Sequence, residues 1–190
     1  MIALTLPSRH GHVMRTLILF TALVLAPVTA VACPAQDLSA DKEPLYQKLV
    51  ETKNEADAAS FAGRIWDLYS TAPDARAQDL LDRGVRYLQR GQLDTSEELL
   101  SELVQYCPDY AEGWNQRAFA RYLAGKLDGA LEDLDRTLEL EPRHFGALAG
   151  RGLTFLQQGR QILGQQAIRD ALKVHPWLNE RRLLPPDQKI

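Results

Sequence analysis

The pattern of apolar and polar residues is clearest in the segment 111–144. Two stretches of helical character, 111–124 and 127–140, are joined there by a Gly-Lys turn. Pro142 follows the second stretch, and a proline cannot continue the hydrogen-bond ladder of a helix. We therefore predict that this segment forms one helix–turn–helix unit.

The same unit recurs along the chain at a step of 34 residues. Five columns of residues keep this step: Leu80, Trp114 and Leu148; Arg83, Arg117 and Arg151; Gly84, Ala118 and Gly152; Gly91, Gly125 and Gly159; Pro108, Pro142 and Pro176. Small residues in the third column let the two helices of a unit approach closely, and glycines in the fourth can adopt the positive φ that ends a helix. The period predicts a solenoid of three units, at residues 77–110, 111–144 and 145–178.

The unit at 111–144 resembles a tetratricopeptide (TPR) repeat. That family has a large residue early in the first helix and a small one four positions later, and Trp114 and Ala118 occupy these places. Ala130 matches the small residue of the second helix. The resemblance implies an all-α fold, a right-handed α-solenoid of helix–turn–helix repeats. The third unit has Gly164 in place of Ala130, which we expect to weaken its second helix by roughly 1 kcal/mol.

Residues 41–76 carry a weaker version of the unit. Apolar residues such as Leu45 and Ile65 mark two helices, and Pro73 closes the second. Because terminal repeats of solenoids are commonly atypical, we interpret this segment as a degenerate N-terminal capping repeat. We expect its Trp66 to pack against the next unit along the chain.

The N-terminal region has the features of a secretory signal peptide. Arg15 precedes an apolar run at residues 17–26, and an Ala-Val-Ala site ends at Ala32. The run is short for a membrane span, so we expect export and cleavage after Ala32, which predicts a periplasmic protein. The predicted organisation is a signal peptide at 1–32, a linker at 33–40, the capping repeat at 41–76, three TPR repeats at 77–178 and a C-terminal tail at 179–190.

The two cysteines, Cys33 and Cys107, leave three alternatives open. Cys33 follows the cleavage site, where bacterial lipoproteins are lipidated, although Ala30 stands where such sites usually carry leucine. A disulfide between the two cysteines can form in an oxidising compartment. The third alternative is a pair of free thiols. We expect a membrane contact only if Cys33 is lipidated.

Nothing in the sequence has the pattern of a catalytic or metal site. It lacks a G-x-S-x-G motif, a phosphate-binding loop and a C-x-x-C pair. His144 and His175 stand beside turns without a second ligand at metal-binding spacing, so we expect both to be solvent-exposed. Asp133 and Asp135 are interpreted as surface charges, with Arg117 as a partner for Asp133. We predict a protein that is not an enzyme and has neither a cofactor nor a metal.

The charge balance also limits the partners. Removal of residues 1–32 leaves 20 basic and 25 acidic residues, a net charge of −5. An acidic chain without a basic stripe argues against nucleic acid as a partner.

The first helices of the three repeats share a mostly apolar stripe without lysine or arginine. The residues of this stripe are Leu81, Val85, Leu88, Asn115, Phe119, Tyr122, Ala149, Leu153 and Leu156. In TPR proteins this surface is concave and binds peptides, so the resemblance implies a ligand groove here. The basic carboxylate clamp of chaperone-binding TPR domains is absent, because other residues take its places: Leu81, Val85, Gln116, Gly146 and Gly150.

We therefore predict a periplasmic interaction module or scaffold that binds a segment of another protein or a peptide. Phe119 and Tyr122 are the expected anchors, since aromatic side chains dominate many interfaces. The alternative function is a lipid-anchored structural subunit of a cell-envelope assembly. An alternative for the stripe itself is that it packs as core between first helices, or is covered by residues 34–40.

Overall fold

The computed structural model describes residues 32–186. The predicted signal peptide therefore lies outside the described residues, apart from Ala32. Within the described range the regular structure consists of eight α-helices and one 3-10 helix. Their bounds are α1 Ser39–Glu51, α2 Glu55–Tyr69, α3 Ala75–Gln89, α4 Leu93–Tyr106, α5 Ala111–Leu123, α6 Leu127–Leu140, α7 Phe145–Gln157, α8 Gln161–Val174 and the 3-10 helix Asn179–Leu183. In that range, no helix combines the length and hydropathy that a membrane span requires.

Three consecutive helix pairs form the predicted repeats. The pairs are α3 with α4, α5 with α6, and α7 with α8, and each pair packs on the next because α4 contacts α5 and α6 contacts α7. Each helix buries one face and exposes the other, as the spacing of apolar residues requires. The prediction of an all-α repeat solenoid is confirmed.

A glycine ends the first helix of every repeat. Gly91, Gly125 and Gly159 have φ values of 72°, 75° and 76°. In the first repeat the N–H of Gln92 then donates to the carbonyl of Tyr87 at 3.0 Å, which satisfies a carbonyl at the end of α3. The predicted positive φ is confirmed at all three turns.

The two helices of the third repeat approach each other at paired glycines. A Cβ added at Gly152 would lie 2.7 Å from the Cγ1 of Ile168, and one added at Gly164 would lie 2.6 Å from the Cγ of Leu156. Gly164 therefore makes room for Leu156, and α8 is continuous through it. We expected Gly164 only to weaken this helix. The glycine also permits the close approach of α7.

Helices α1 and α2 form a pair, but the prediction that Trp66 packs on the next unit along the chain is wrong. Their core contains Tyr46, Ile65 and Tyr69, and it closes on Phe145 at the start of α7. The ring of Trp66 lies 5.4 Å from that of Phe145, centroid to centroid. The pair therefore packs on the third repeat, whereas we expected Trp66 to contact the first.

Residues that follow α8 hold this N-terminal pair in place. The indole N–H of Trp177 donates to the carbonyl of Thr52 at 3.4 Å, in the turn between α1 and α2. Arg181 forms an ion pair with Glu55 at 3.7 Å. Beyond the 3-10 helix, Leu184 is buried against α8. The start of the predicted tail is thus packed on the fold.

A disulfide joins Cys33 to Cys107 at the end of α4. Their Cα atoms are 5.1 Å apart, within the range that a disulfide spans. Of the three alternatives for the cysteines, this structure has the disulfide. The predicted linker is therefore attached covalently to the first repeat.

Candidate functional site

The first helices of the three repeats enclose a groove of about 490 Å³. Most of its walls are apolar, because the helices α3, α5 and α7 turn leucine, valine and aromatic side chains towards it. The residues of the predicted stripe that line this groove are Val85, Leu88, Asn115, Phe119, Tyr122, Ala149 and Leu153. The structure thus brings together seven of the nine predicted residues on one surface.

The other two residues of the stripe, Leu81 and Leu156, lie elsewhere. Leu81 is only 3% exposed and belongs to the core of the first repeat. Leu156 packs over Gly164 and contacts the core that contains Ile168. Their assignment to the groove was wrong, because Leu81 packs into the core that includes Tyr110 and Ala120, and Leu156 packs at the close approach of α7 and α8.

Phe119 is the most prominent apolar side chain of the groove. It is 47% exposed, although burial of a phenylalanine side chain away from water is energetically favourable. Tyr122, one turn further along α5, is half-buried. The polar residues beside them are engaged within the protein: Asn115 donates to Glu112 at 3.1 Å, and Thr154 donates to the carbonyl of Gly150 at 2.8 Å.

One end of the groove is built by parts of the chain that the stripe did not include. Trp66 comes from α2, Phe145 from the start of α7, and His175, Leu178 and Glu180 from the end of α8 and the segment after it. Sequence reasoning missed them because they are far apart in the sequence and, except for Phe145 at the start of α7, lie outside the first helices of the repeats.

A sequence signal for this wall did exist at Gly146. A Cβ added there would lie 2.6 Å from the Cη2 of Trp66, so the indole can take its position only beside a glycine. Two glycines on one face of α7, Gly146 and Gly150, indicate that something bulky approaches this face. The sequence does not tell which side chain it is.

The charge of the groove is slightly negative. Among the described residues that line it, none is a lysine or arginine, and Glu180 is the only carboxylate. His175 is 7% exposed, and its burial, with Arg181 nearby, lowers its pKa to about 4. The imidazole is therefore neutral at pH 7.

Comparisons with known proteins agree with the repeat architecture. No protein-family model matches the chain. A TPR repeat-containing protein of Rhizobium etli is 29% identical over 141 residues, which cover 73% of this chain and 69% of that protein. Tetratricopeptide repeat protein 36 of Mus musculus is 38% identical over 81 residues, 40% of each chain. The chain is a TPR protein.

Two solved structures show the same fold. The TPR domain of Sgt2 from Aspergillus fumigatus has a TM-score of 0.52 at 17% identity, and the match covers 53% of this chain and 67% of that one. The MamA RS-1 ArsTM double mutant has a TM-score of 0.50 at 15% identity, over 72% of this chain and 76% of that one. At these identities the likeness concerns the fold alone. TPR domains are in general protein-interaction modules without catalytic activity.

A buried polar cluster lies next to the groove in this TPR protein. His144 is fully buried, and its Nε2 lies 2.8 Å from an Oε2 of Glu112, which is 2% exposed. The Nδ1 of His144 accepts the backbone N–H of Ala147 at 3.1 Å and so caps α7. Because Nδ1 accepts, the proton of the neutral ring is on Nε2 and points to the carboxylate.

The ring of Tyr69 stacks on His144, with the two centroids 3.9 Å apart. The cluster therefore links α2 to the beginning of α7. We expected His144 and His175 to be solvent-exposed turn residues, and this was wrong for both. A turn can be covered by another part of the chain, here by α2 and by the segment after α8.

The interpretation of Asp133 as a surface charge is also wrong. Asp133 is 2% exposed, and its carboxylate accepts from Arg117 at 2.7 and 2.9 Å and from Arg121 at 2.9 Å. The expected pair with Arg117 is confirmed, but Asp133 is a buried charge. Asp135 is exposed, as predicted, and forms an ion pair with Arg151 at 3.3 Å.

Proposed function

We propose that this TPR protein is a periplasmic interaction module that binds an apolar or amphipathic segment of another protein in the groove. The observation that carries the proposal is the groove itself, with an exposed Phe119 between walls from three repeats. Burying a phenylalanine or leucine side chain contributes about 1.5–3 kcal/mol, so a few anchors suffice for a specific complex.

The chemistry of the walls supports an apolar segment and argues against a free C-terminal carboxylate as the ligand. Gln116, Gly146 and Gly150 line the groove at places where a carboxylate clamp has basic or amide side chains. With no lysine or arginine among the described lining residues, an anion would lose its hydration without gaining a cationic partner.

The proposed periplasmic location is supported by one prediction from the sequence and one feature of the structure. The first is the predicted signal peptide with cleavage after Ala32. The second is the Cys33–Cys107 disulfide, since disulfides persist in oxidising compartments. N-terminal sequencing of the protein recovered by osmotic shock tests this proposal. A mature protein that starts at Cys33 is expected, and a cytoplasmic protein that retains residues 17–26 would contradict it.

The disulfide also bears on the alternative of a lipid-anchored structural subunit. A sulfur that forms a disulfide cannot at the same time carry the thioether of a lipidated cysteine. We therefore favour the soluble module. Membrane fractionation with and without globomycin distinguishes the two, because only a lipoprotein changes its processing with this inhibitor.

The groove is tested with a double variant, Phe119→Ala with Tyr122→Ser. The purified, disulfide-bonded protein is screened with a phage-displayed library of random 12-residue peptides, and the affinity of an enriched peptide is measured by fluorescence anisotropy. We expect the double variant to weaken binding at least tenfold while its thermal midpoint changes little.

Ile162→Ala is the matched control, because Ile162 is 81% exposed and does not line the groove. This variant should bind the peptide as the parent protein does. If the double variant instead loses several kcal/mol of stability, the two aromatic residues are core and the groove is not a binding site.

A further inference from the structure

Glu180 lines one end of the groove. Glu180 belongs to the 3-10 helix Asn179–Leu183, whose neighbours on both sides are anchored. Before it, Leu178 packs into the core of α1 and α2; after it, Arg181 pairs with Glu55 and Leu184 is buried. These anchors fix the backbone, so Glu180 stays at the end of the groove that Trp66 and Leu178 also line.

Glu180 has no cationic partner among the described residues. The nearest arginine in sequence, Arg181, is engaged with Glu55. His175, on the same wall, has a pKa lowered to about 4 by burial and therefore carries no charge at pH 7. Neither group compensates the negative charge of Glu180.

A ligand that fills the groove removes water from this carboxylate. Burying an unpaired carboxylate costs free energy, whereas a lysine or arginine of the ligand restores a charge-assisted hydrogen bond. The net charge of −5 after loss of residues 1–32 adds attraction for a cationic segment as it approaches. Charge complementarity thus selects one kind of occupant.

Building on the proposed function, we propose that the groove binds an amphipathic segment of a partner protein that places apolar side chains against Phe119 and Leu153 and a lysine or arginine against Glu180. Glu180 is then the residue that determines specificity in a mostly apolar site. A second copy of this chain is less suited to the groove, because its net charge has the same sign.

The test uses the random 12-residue phage library on the purified, disulfide-bonded protein. We expect the enriched peptides to combine apolar residues with at least one lysine or arginine. For one such peptide, Glu180→Gln should weaken binding about tenfold. The same variant should leave the affinity of a peptide analogue with glutamine in place of the basic residue nearly unchanged.

Glu98→Gln is the matched control, since Glu98 is exposed on α4 and lies outside the groove. Glu180→Lys provides a second measurement, because selection on this variant should enrich acidic peptides. The thermal midpoint of each variant verifies that it is folded, and size-exclusion chromatography detects self-association.

The outcomes separate this inference from the function on which it rests. If Phe119→Ala weakens binding but the enriched peptides show no preference for basic residues, or Glu180→Gln weakens both peptides equally, the role of Glu180 is overturned and the groove remains. If Phe119→Ala leaves peptide binding intact, the proposed function itself fails. Binding of a second copy in place of peptides also overturns the inference.

Discussion

The disulfide offers the most direct test of how the N-terminal part of this TPR protein is held. It connects residues 74 positions apart and so encloses helices α1 to α4 in one covalent loop. In the loop-entropy account, cross-linking a loop of this length lowers the conformational entropy of the unfolded chain by an amount worth roughly 4 kcal/mol. We predict that Cys33→Ala with Cys107→Ala lowers the free energy of unfolding by about 3–4 kcal/mol.

The measurement is urea unfolding followed by circular dichroism, with the oxidised parent, the reduced parent and the double variant in parallel. With an m value of about 2 kcal/mol per molar urea, the transition midpoint should fall by about 2 M. The helical signal before the transition should stay the same, because the core of Tyr46, Ile65 and Tyr69 does not depend on the disulfide.

Reduced parent and double variant should agree closely, which separates the covalent bond from the packing of Cys107, a residue only 1% exposed. Equal midpoints for the oxidised and reduced parent would refute the reasoning. The unfolded chain would then have to be as restricted without the disulfide as with it.

Two further predictions concern buried charged or titratable groups. Asp133→Ala should lower the free energy of unfolding by about 3 kcal/mol, because it leaves Arg117 and Arg121 without the carboxylate that both bind. Asp135→Ala should change the free energy of unfolding by about 0.5 kcal/mol or less. Equal urea midpoints for the two variants would contradict this prediction. The pKa of His175 is about 4 in the folded protein, below its ordinary value of 6.5. Between pH 4 and pH 6.5 the unfolded chain therefore binds more protons than the folded protein, so stability should fall as the pH drops from 6.5 towards 4. In thermal melts across this range His175→Gln should flatten the decline, and an unchanged slope would show that other groups cause it.

The repeat could be predicted because its signals are local. Gly91 and its equivalents set the end of each first helix within five residues of chain, and the prolines end each second helix in the same way. A column such as Gly84, Ala118 and Gly152 then reports a contact between helices that are neighbours in the sequence. Fold class and most of the groove follow from these local rules.

The errors concern contacts between distant segments. An apolar pattern tells that Ile65 is buried but not that Phe145 covers the same core. A polar residue such as Glu112 is expected at the surface, and it becomes buried only when His144, from the far end of the same repeat, and Tyr69 of α2 assemble around it. The assignment of Leu81 to the groove was wrong for a related reason. The sequence does not show which neighbouring element lies against each apolar face of a helix.

The position of α1 and α2 changes how the chain acquires its structure. In an ordinary solenoid each repeat contacts only its neighbours, and folding can spread along the array from any point. Here Lys42 pairs with Glu141, 99 residues away, and Trp177 bonds to Thr52 across 125 residues. Contacts of such separation slow folding, because the intervening chain must be ordered first. Helices α1 and α2 can complete their core only after the third repeat has been synthesised, so this helix pair and the third repeat form, or are lost, together.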